Sequence, residues 1–230
     1  MPKHKDIEYS LIRSNRKTAS LHIERDGSVT LMIPEKLSDS DADRIIESKL
    51  YWIYKSLAEW EDLNATKVNR EFVSGEGFLY LGRSYRLKFV EEQHMPLMLR
   101  NGYFCLRTSK RGNQIEPHEA FKEFYRAKGK QRIHERVDLY RKMLAVKPSN
   151  IRIMELKHRW ASCSRNGALN FHWKCMMAPL LILDYIVVHE LAHLIHPRHT
   201  SAFWNEVDKV LPDYFERKEW LKKRGAEMDL

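Results

Sequence analysis

Hydrophobic and polar positions alternate with a period of two through residues 7–34, first in IEYSLIR and then in ASLHIERDGSVTLMIP, which predicts strands. Asp26-Gly27 supplies a tight-turn signal inside the second run, so that run reads as a hairpin preceded by one further strand. From Ser38 the period changes. Ile45, Ile46, Leu50, Ile53, Leu57 and Trp60 recur at helical spacing behind a Ser-Asp-Ser-Asp cap, predicting a helix that runs to Thr66. FLYLG, SYRLKFVE, MPLMLR and YFCLRT then read as short strands with turns at Gly82 and Gly102.

Residues 116–144 are helical in pattern and heavily charged, with Pro148 closing the segment, and the charged face is expected to be solvated. IRIMELKHRWASCS predicts one strand and GALNFHW another, joined by a turn at Asn166-Gly167. A helix beginning at Pro179 runs through LLILDYIVVHELAHLIH, and two more follow at 200–211 and 213–224. No internal sequence repeat is evident. The class is α+β, with a β-rich part and one long helix over residues 1–112 ahead of a helix, short-strand and helix part over 113–230.

Six Trp, ten Tyr and nine Phe exclude a disordered chain. Forty Lys and Arg against 31 Asp and Glu give a net charge of +9, which favours acidic partners in general. The basic residues are scattered, so most are read as a solvated surface, and a nucleic acid or nucleotide stays open as a partner. Cys105, Cys163 and Cys175 show no C-x-x-C spacing, which argues against a disulfide framework or a thiolate zinc finger and for a reducing compartment. The N-terminus has no apolar signal core and no uncharged apolar run reaches membrane-spanning length, so a cytoplasmic protein without a membrane partner is expected.

The candidate chemistry lies in the apolar helix. Residues 180–195 are apolar almost all round, so the helix is expected to be buried, and Asp184, His189, Glu190 and His193 stand out there, with His196 just beyond. At about 100° and 1.5 Å per residue, His189 and His193 lie about 40° apart and about 6 Å along the axis, so both imidazoles can reach one ion. Glu190 sits about 60° beyond His193, beside the ion, where its carboxylate can take a proton from water. That is the chemistry of H-E-x-x-H. His196 lies about 10 Å along the axis from His189, too far to share the ion. Pro197 stops the helix, and the chain can then return His199 to the site as the preferred third ligand of a catalytic zinc that keeps one position for water. Glu206 competes for that place, and Glu206, Asp184 or Asp208 could instead accept from a ligating imidazole. Two His and a Glu satisfied by core neighbours are the plain alternative.

WASCS at 160–164, GALNFHW, MMAP, LDYIVVHELAHLIHPRHTSAFW and LPDYFERKEWLKKRG, together with SNRKTASLHIERDGSVTLMIP near the N-terminus, resemble the YgjP-like metal-dependent hydrolases, a group of zincin-like metallopeptidases. The resemblance covers nearly the whole chain and implies a zincin-like catalytic domain over 113–230. It implies His189, His193 and His199 as metal ligands and Glu190 as the catalytic carboxylate, and it suggests kinship with SprT-like and WLM proteases. That group commonly has glycine where this chain has Ala161. The expected activity is zinc-dependent hydrolysis of a peptide or protein. The alternatives are a nucleotide or phosphate-ester hydrolase with Arg159, Arg165 and Arg198 as phosphate clamps, and a non-enzymatic module with structural zinc. Trp160, Ser162, Cys163 and Ser164 are expected to line the cleft or to serve structure, Phe203 and Trp204 are read as packing residues, and Tyr214 is read as a packing residue with oxyanion stabilisation as its alternative.

Overall fold

The alternating N-terminal run folds as β1 (Lys3–His4), β2 (Ile7–Ser14), β3 (Ser20–Ile23) and β4 (Val29–Pro34). Ile7 and Tyr9 of β2 are buried together with Val29, Leu31 and Ile33 of β4, which is what period-two patterning requires of one sheet face. Helix α1 (Asp39–Asn64) packs in the same cluster through Ala42, Ile46 and Ile53. Its start is a reciprocal cap: the Asp41 N–H donates to the Ser38 hydroxyl at 3.2 Å, and the Ser38 N–H donates to the Asp41 carboxylate at 2.9 Å. The expected hairpin is β3–β4, turning at Gly27, and the further strand β2 joins β4 in parallel.

In the computed structural model, which describes residues 1–24, 26–64, 68–108, 116–156 and 159–230 (Leu63 by its backbone alone), the chain divides into two units, Met1–Thr66 and Lys67–Leu230. The end of the first helix expected at Thr66 lies outside the described residues.

The second unit opens with β5 (Gly77–Tyr80), β6 (Arg83–Val90), β7 (Leu97–Arg100) and β8 (Tyr103–Arg107), followed by α2 (Pro117–Met143). Leu81-Gly82 and Asn101-Gly102 both take positive φ, the tight turns expected at those glycines. The sheet order β5-β6-β8-β7, with β6 and β8 parallel, matches the order β1-β2-β4-β3 of the first sheet, and a long helix follows each. Backbone pairing sets this recurrence, so it leaves no repeat in the side chains. Phe78 and Phe104 from the sheet pack on Phe121 of α2 at ring distances of 4.3 and 5.0 Å. This shared core joins the β5–β8 sheet to α2 within the second unit.

IRIMELKHRWASCS is two strands rather than one. β9 (Asn150–Met154) pairs in parallel with one edge of β11 (Ala168–His172), and β10 (Ala161–Cys163) pairs antiparallel with the other, so the chain must cross between them. The turn expected at Asn166-Gly167 joins β10 to β11, with the Gly167 N–H donating to the Ser164 carbonyl at 2.9 Å. Ala161 has no positive φ and sits in regular pairing with Phe171, a conformation open to alanine.

Helix α3 (Leu180–Ala192) is buried almost all round, as its composition demands. Pro179 is its N-cap rather than its first helical residue. Gly82, at φ +78°, lies against it: a Cβ there would come within 2.8 Å of Pro179, so only glycine lets the β5–β6 turn seat the start of α3. Farther along, Arg136 of α2 grips the buried Asp184 of α3 through two hydrogen bonds of 2.5 and 2.8 Å. The sequence offered Asp184 as a partner for a ligating imidazole; it is instead the pin between two helices. α4 (Ser201–Val210) and α5 (Tyr214–Arg224) complete the unit. Among the described residues no helix is long and apolar enough to cross a membrane.

Candidate metal centre

α3 ends at Ala192, four residues before the His196 to which the pattern carried it. His193 is its C-cap, and the next N–H groups tighten to i→i−3 bonds, Leu194 to Leu191 at 3.1 Å and Ile195 to Ala192 at 3.0 Å. Pro197, which has no N–H, follows this turn, and the chain comes back with His199 on the loop before α4. The Thr200 hydroxyl caps α4 by accepting from the Phe203 N–H at 3.5 Å.

The three histidines meet. Their ring centroids are 4.9, 4.9 and 4.7 Å apart, and one nitrogen from each lies within 4.8 Å of the others. His189 Nε2 and His199 Nε2 are 3.0 Å apart, close to the spacing of about 3.3 Å expected for two nitrogens on one tetrahedral zinc. His193 Nδ1 lies 3.2 Å from the His196 carbonyl. A carbonyl can only accept, so Nδ1 carries the proton and Nε2 keeps its lone pair for an ion. His196 thus contributes its backbone while its ring is outside the group. Glu206 is outside it too, and ion-pairs with Lys209 at 2.7 Å.

Electrostatics suit a cation. Burial pushes His189 down to about 3, with the neighbouring His193, His199 and Lys218 adding to the shift. Burial also lowers His193 and His199. All three rings are therefore neutral at neutral pH, the state in which imidazole ligates. Glu190 is 6 % exposed, and burial drives its carboxyl up to about 8, against the pull of Arg159 and a hydrogen bond from the Cys163 backbone. Among the described residues its Oε2 has no hydrogen-bond partner and is buried, as is the His189 Nδ1, the ring nitrogen not turned to His199. An unpartnered buried carboxylate oxygen beside converging neutral imidazoles fits a bound divalent ion, which would offset the cost of an ionised Glu190.

The group opens on a cleft of about 780 Å³, whose walls include Arg159, Ser162, Cys163 and Arg165 beside the three histidines and Glu190. Arg198 does not line it. Burial and the nearby Glu190 raise the Cys163 thiol, so it is poorly suited to act as a nucleophile. Phe203 is fully buried as expected, yet it also touches all three imidazoles at 4.9, 4.6 and 4.8 Å. Tyr185 meets His189 edge-on at 5.8 Å, one helical turn before it, a position that spacing alone could have flagged. Tyr214 packs on Trp204, in keeping with its reading as a packing residue.

A buried carboxylate beside three converging neutral imidazoles is the equipment of a metal-dependent hydrolase. Residues 17–224 match the YgjP-like, metallopeptidase domain family, and the chain belongs to that family. Among solved structures, the crystal structure of the metallopeptidase zymogen of Pyrococcus abyssi abylysin is similar at 28% identity, covering 38% of this chain and 89% of that one, with a TM-score of 0.36. No match was found among curated proteins.

Proposed function

We propose that this chain is a zinc-dependent peptidase of zincin-like build, in which His189, His193 and His199 hold the ion and Glu190 is the general base. The observation that carries the reading is the convergence of three neutral imidazoles next to a buried carboxylate on one cleft wall. A divalent ion held there supplies a Lewis acid that acidifies water and polarises a carbonyl. Glu190 takes the proton of the attacking water and passes it to the leaving amine nitrogen as the C–N bond breaks. The Cys163 backbone beside the carboxylate favours its ionised form.

Peptide as substrate is supported by β10, an edge strand on the cleft wall. In its antiparallel ladder the peptide groups of Ala161 face away from β11, so an extended chain can add along that edge. A nucleotide or other phosphate ester is the second reading. It is favoured by Arg159 and Arg165, which line the cleft and have no ion-pair partner among the described residues.

The test offers zinc-loaded protein unstructured peptides and nucleoside triphosphates side by side, with the Glu190→Gln variant as control. Peptide cleavage that disappears in the variant is the expected result. Phosphate release without peptide cleavage would transfer the site to the second reading, and turnover of neither class would overturn both.

A further inference from the structure

The three imidazoles are held in place by different means. His189 is gripped by a buried helix, and His193 is tied through its Nδ1 to the His196 carbonyl at 3.2 Å. His199 has neither support. It stands exposed on the loop between α3 and α4, and no hydrogen bond to its Nδ1 is present among the described residues. A ligating imidazole normally has its second nitrogen anchored, because a free ring must lose its rotational freedom when the ion binds.

Aromatic contacts supply the missing restraint. The Trp204 indole lies nearly parallel to the His199 ring, with centroids 5.6 Å apart and planes 21° apart. Trp204 is itself stacked with Tyr214 of α5 at 5.3 Å and 17°, and the Lys218 ammonium sits 4.6 Å from the indole centroid. Phe203 closes the edge of His199 at 4.8 Å and 88°. Phe203 and Trp204 are consecutive residues of the first α4 turn, which the Thr200 cap starts immediately after His199. The loop is thus too short for the ring to swing away without breaking the stack.

We propose that Trp204 is the positioning residue for the third metal ligand, its stacked indole doing for His199 what a hydrogen bond does for His193. Tyr214 and Lys218, both from α5, hold the indole in turn. The inference rests on the metal-site reading above and extends that site to α5, which provides none of its three imidazoles.

The experiment measures ion affinity in the full chain by chelator competition, together with the visible absorption of the Co2+-loaded protein. The variants are Trp204→Leu, Trp204→Phe and Tyr214→Leu, with circular dichroism verifying the fold. Trp204→Leu should weaken binding by about 10- to 100-fold and alter the Co2+ spectrum. Trp204→Phe, which keeps an aromatic plane, should recover most of both. Tyr214→Leu, which loosens the stack from outside, should cause a smaller loss in the same direction, and it serves as the measurement if Trp204→Leu does not fold. Wild-type affinity and spectrum in folded Trp204→Leu would overturn the inference, as would a Trp204→Phe variant no better than Leu or a Tyr214→Leu variant with unchanged affinity. A wild-type chain that binds no ion would instead overturn the metal-site reading, and this inference with it.

Discussion

Replacing Glu190 by Gln tests both the burial and the role of the carboxylate, because the two side chains have nearly the same shape and differ in their ability to ionise. Glu190 is 6 % exposed, and in the ion-free protein burial raises it from 4.5 to about 8. At about 1.4 kcal/mol for each pH unit, that gap amounts to at most about 5 kcal/mol of stability. The sign follows from a folded value above the unfolded one. The folded chain holds the proton more tightly, so the stabilisation is fully present below pH 4.5 and is lost as pH rises to about 8. Gln does not titrate. The stability of Glu190→Gln minus that of the wild type should therefore grow across this window, by up to about 1.4 kcal/mol per pH unit, and then level off. The lowered histidines titrate in both proteins and cancel in the difference. Urea denaturation in the presence of a chelator, from about pH 5 to about pH 9, measures it. Saturation with a divalent ion should shrink the difference, because the ion's charge favours the carboxylate. In the ion-loaded state the variant should keep its metal and lose at least about 10²-fold in turnover. A stability difference that stays flat with pH would refute the burial argument, and undiminished turnover would refute the assignment of the base.

Metal analysis of His199→Ala and Glu206→Ala should give opposite results: the first loses the ion, whereas the second, which breaks only the exposed pair with Lys209, retains it. Arg136→Met strands Asp184, which is 3 % exposed, and should cost about 3–5 kcal/mol in chemical denaturation, with much of the loss recovered when Asp184 is made apolar as well. Gly82→Ala and Gly102→Ala share a φ of +78° and so share about 1 kcal/mol of left-handed strain, but only the first drives a Cβ to within 2.8 Å of Pro179. Gly82→Ala should thus be the more damaging by about 1–3 kcal/mol, and equal losses would mean that the turn does not seat α3.

Sequence periodicity determined the elements and most of the candidate centre. His189, Glu190 and His193 are related by helix geometry, and that geometry is local: 100° and 1.5 Å per residue place them wherever the helix goes. Pro197 acts within the same stretch, so the release of His199 was also legible, and the three rings do converge. Tight turns at Gly27, Gly82 and Gly102 were readable for the same reason, since φ is decided within a residue or two. Tertiary structure alone decided the rest. The parallel pairing of β2 with β4 and of β6 with β8, the division of IRIMELKHRWASCS between two edges of β11, and the unit boundary at 66/67 depend on which distant strands meet. Asp184 looked like a partner for the site until Arg136, 48 positions earlier, proved to hold it. Trp204 looked like core, and only the approach of α5 makes it the flat surface against which His199 rests. Spacing along a helix is set by covalent geometry, whereas a partner across the fold is set by long-range packing that no sequence interval encodes.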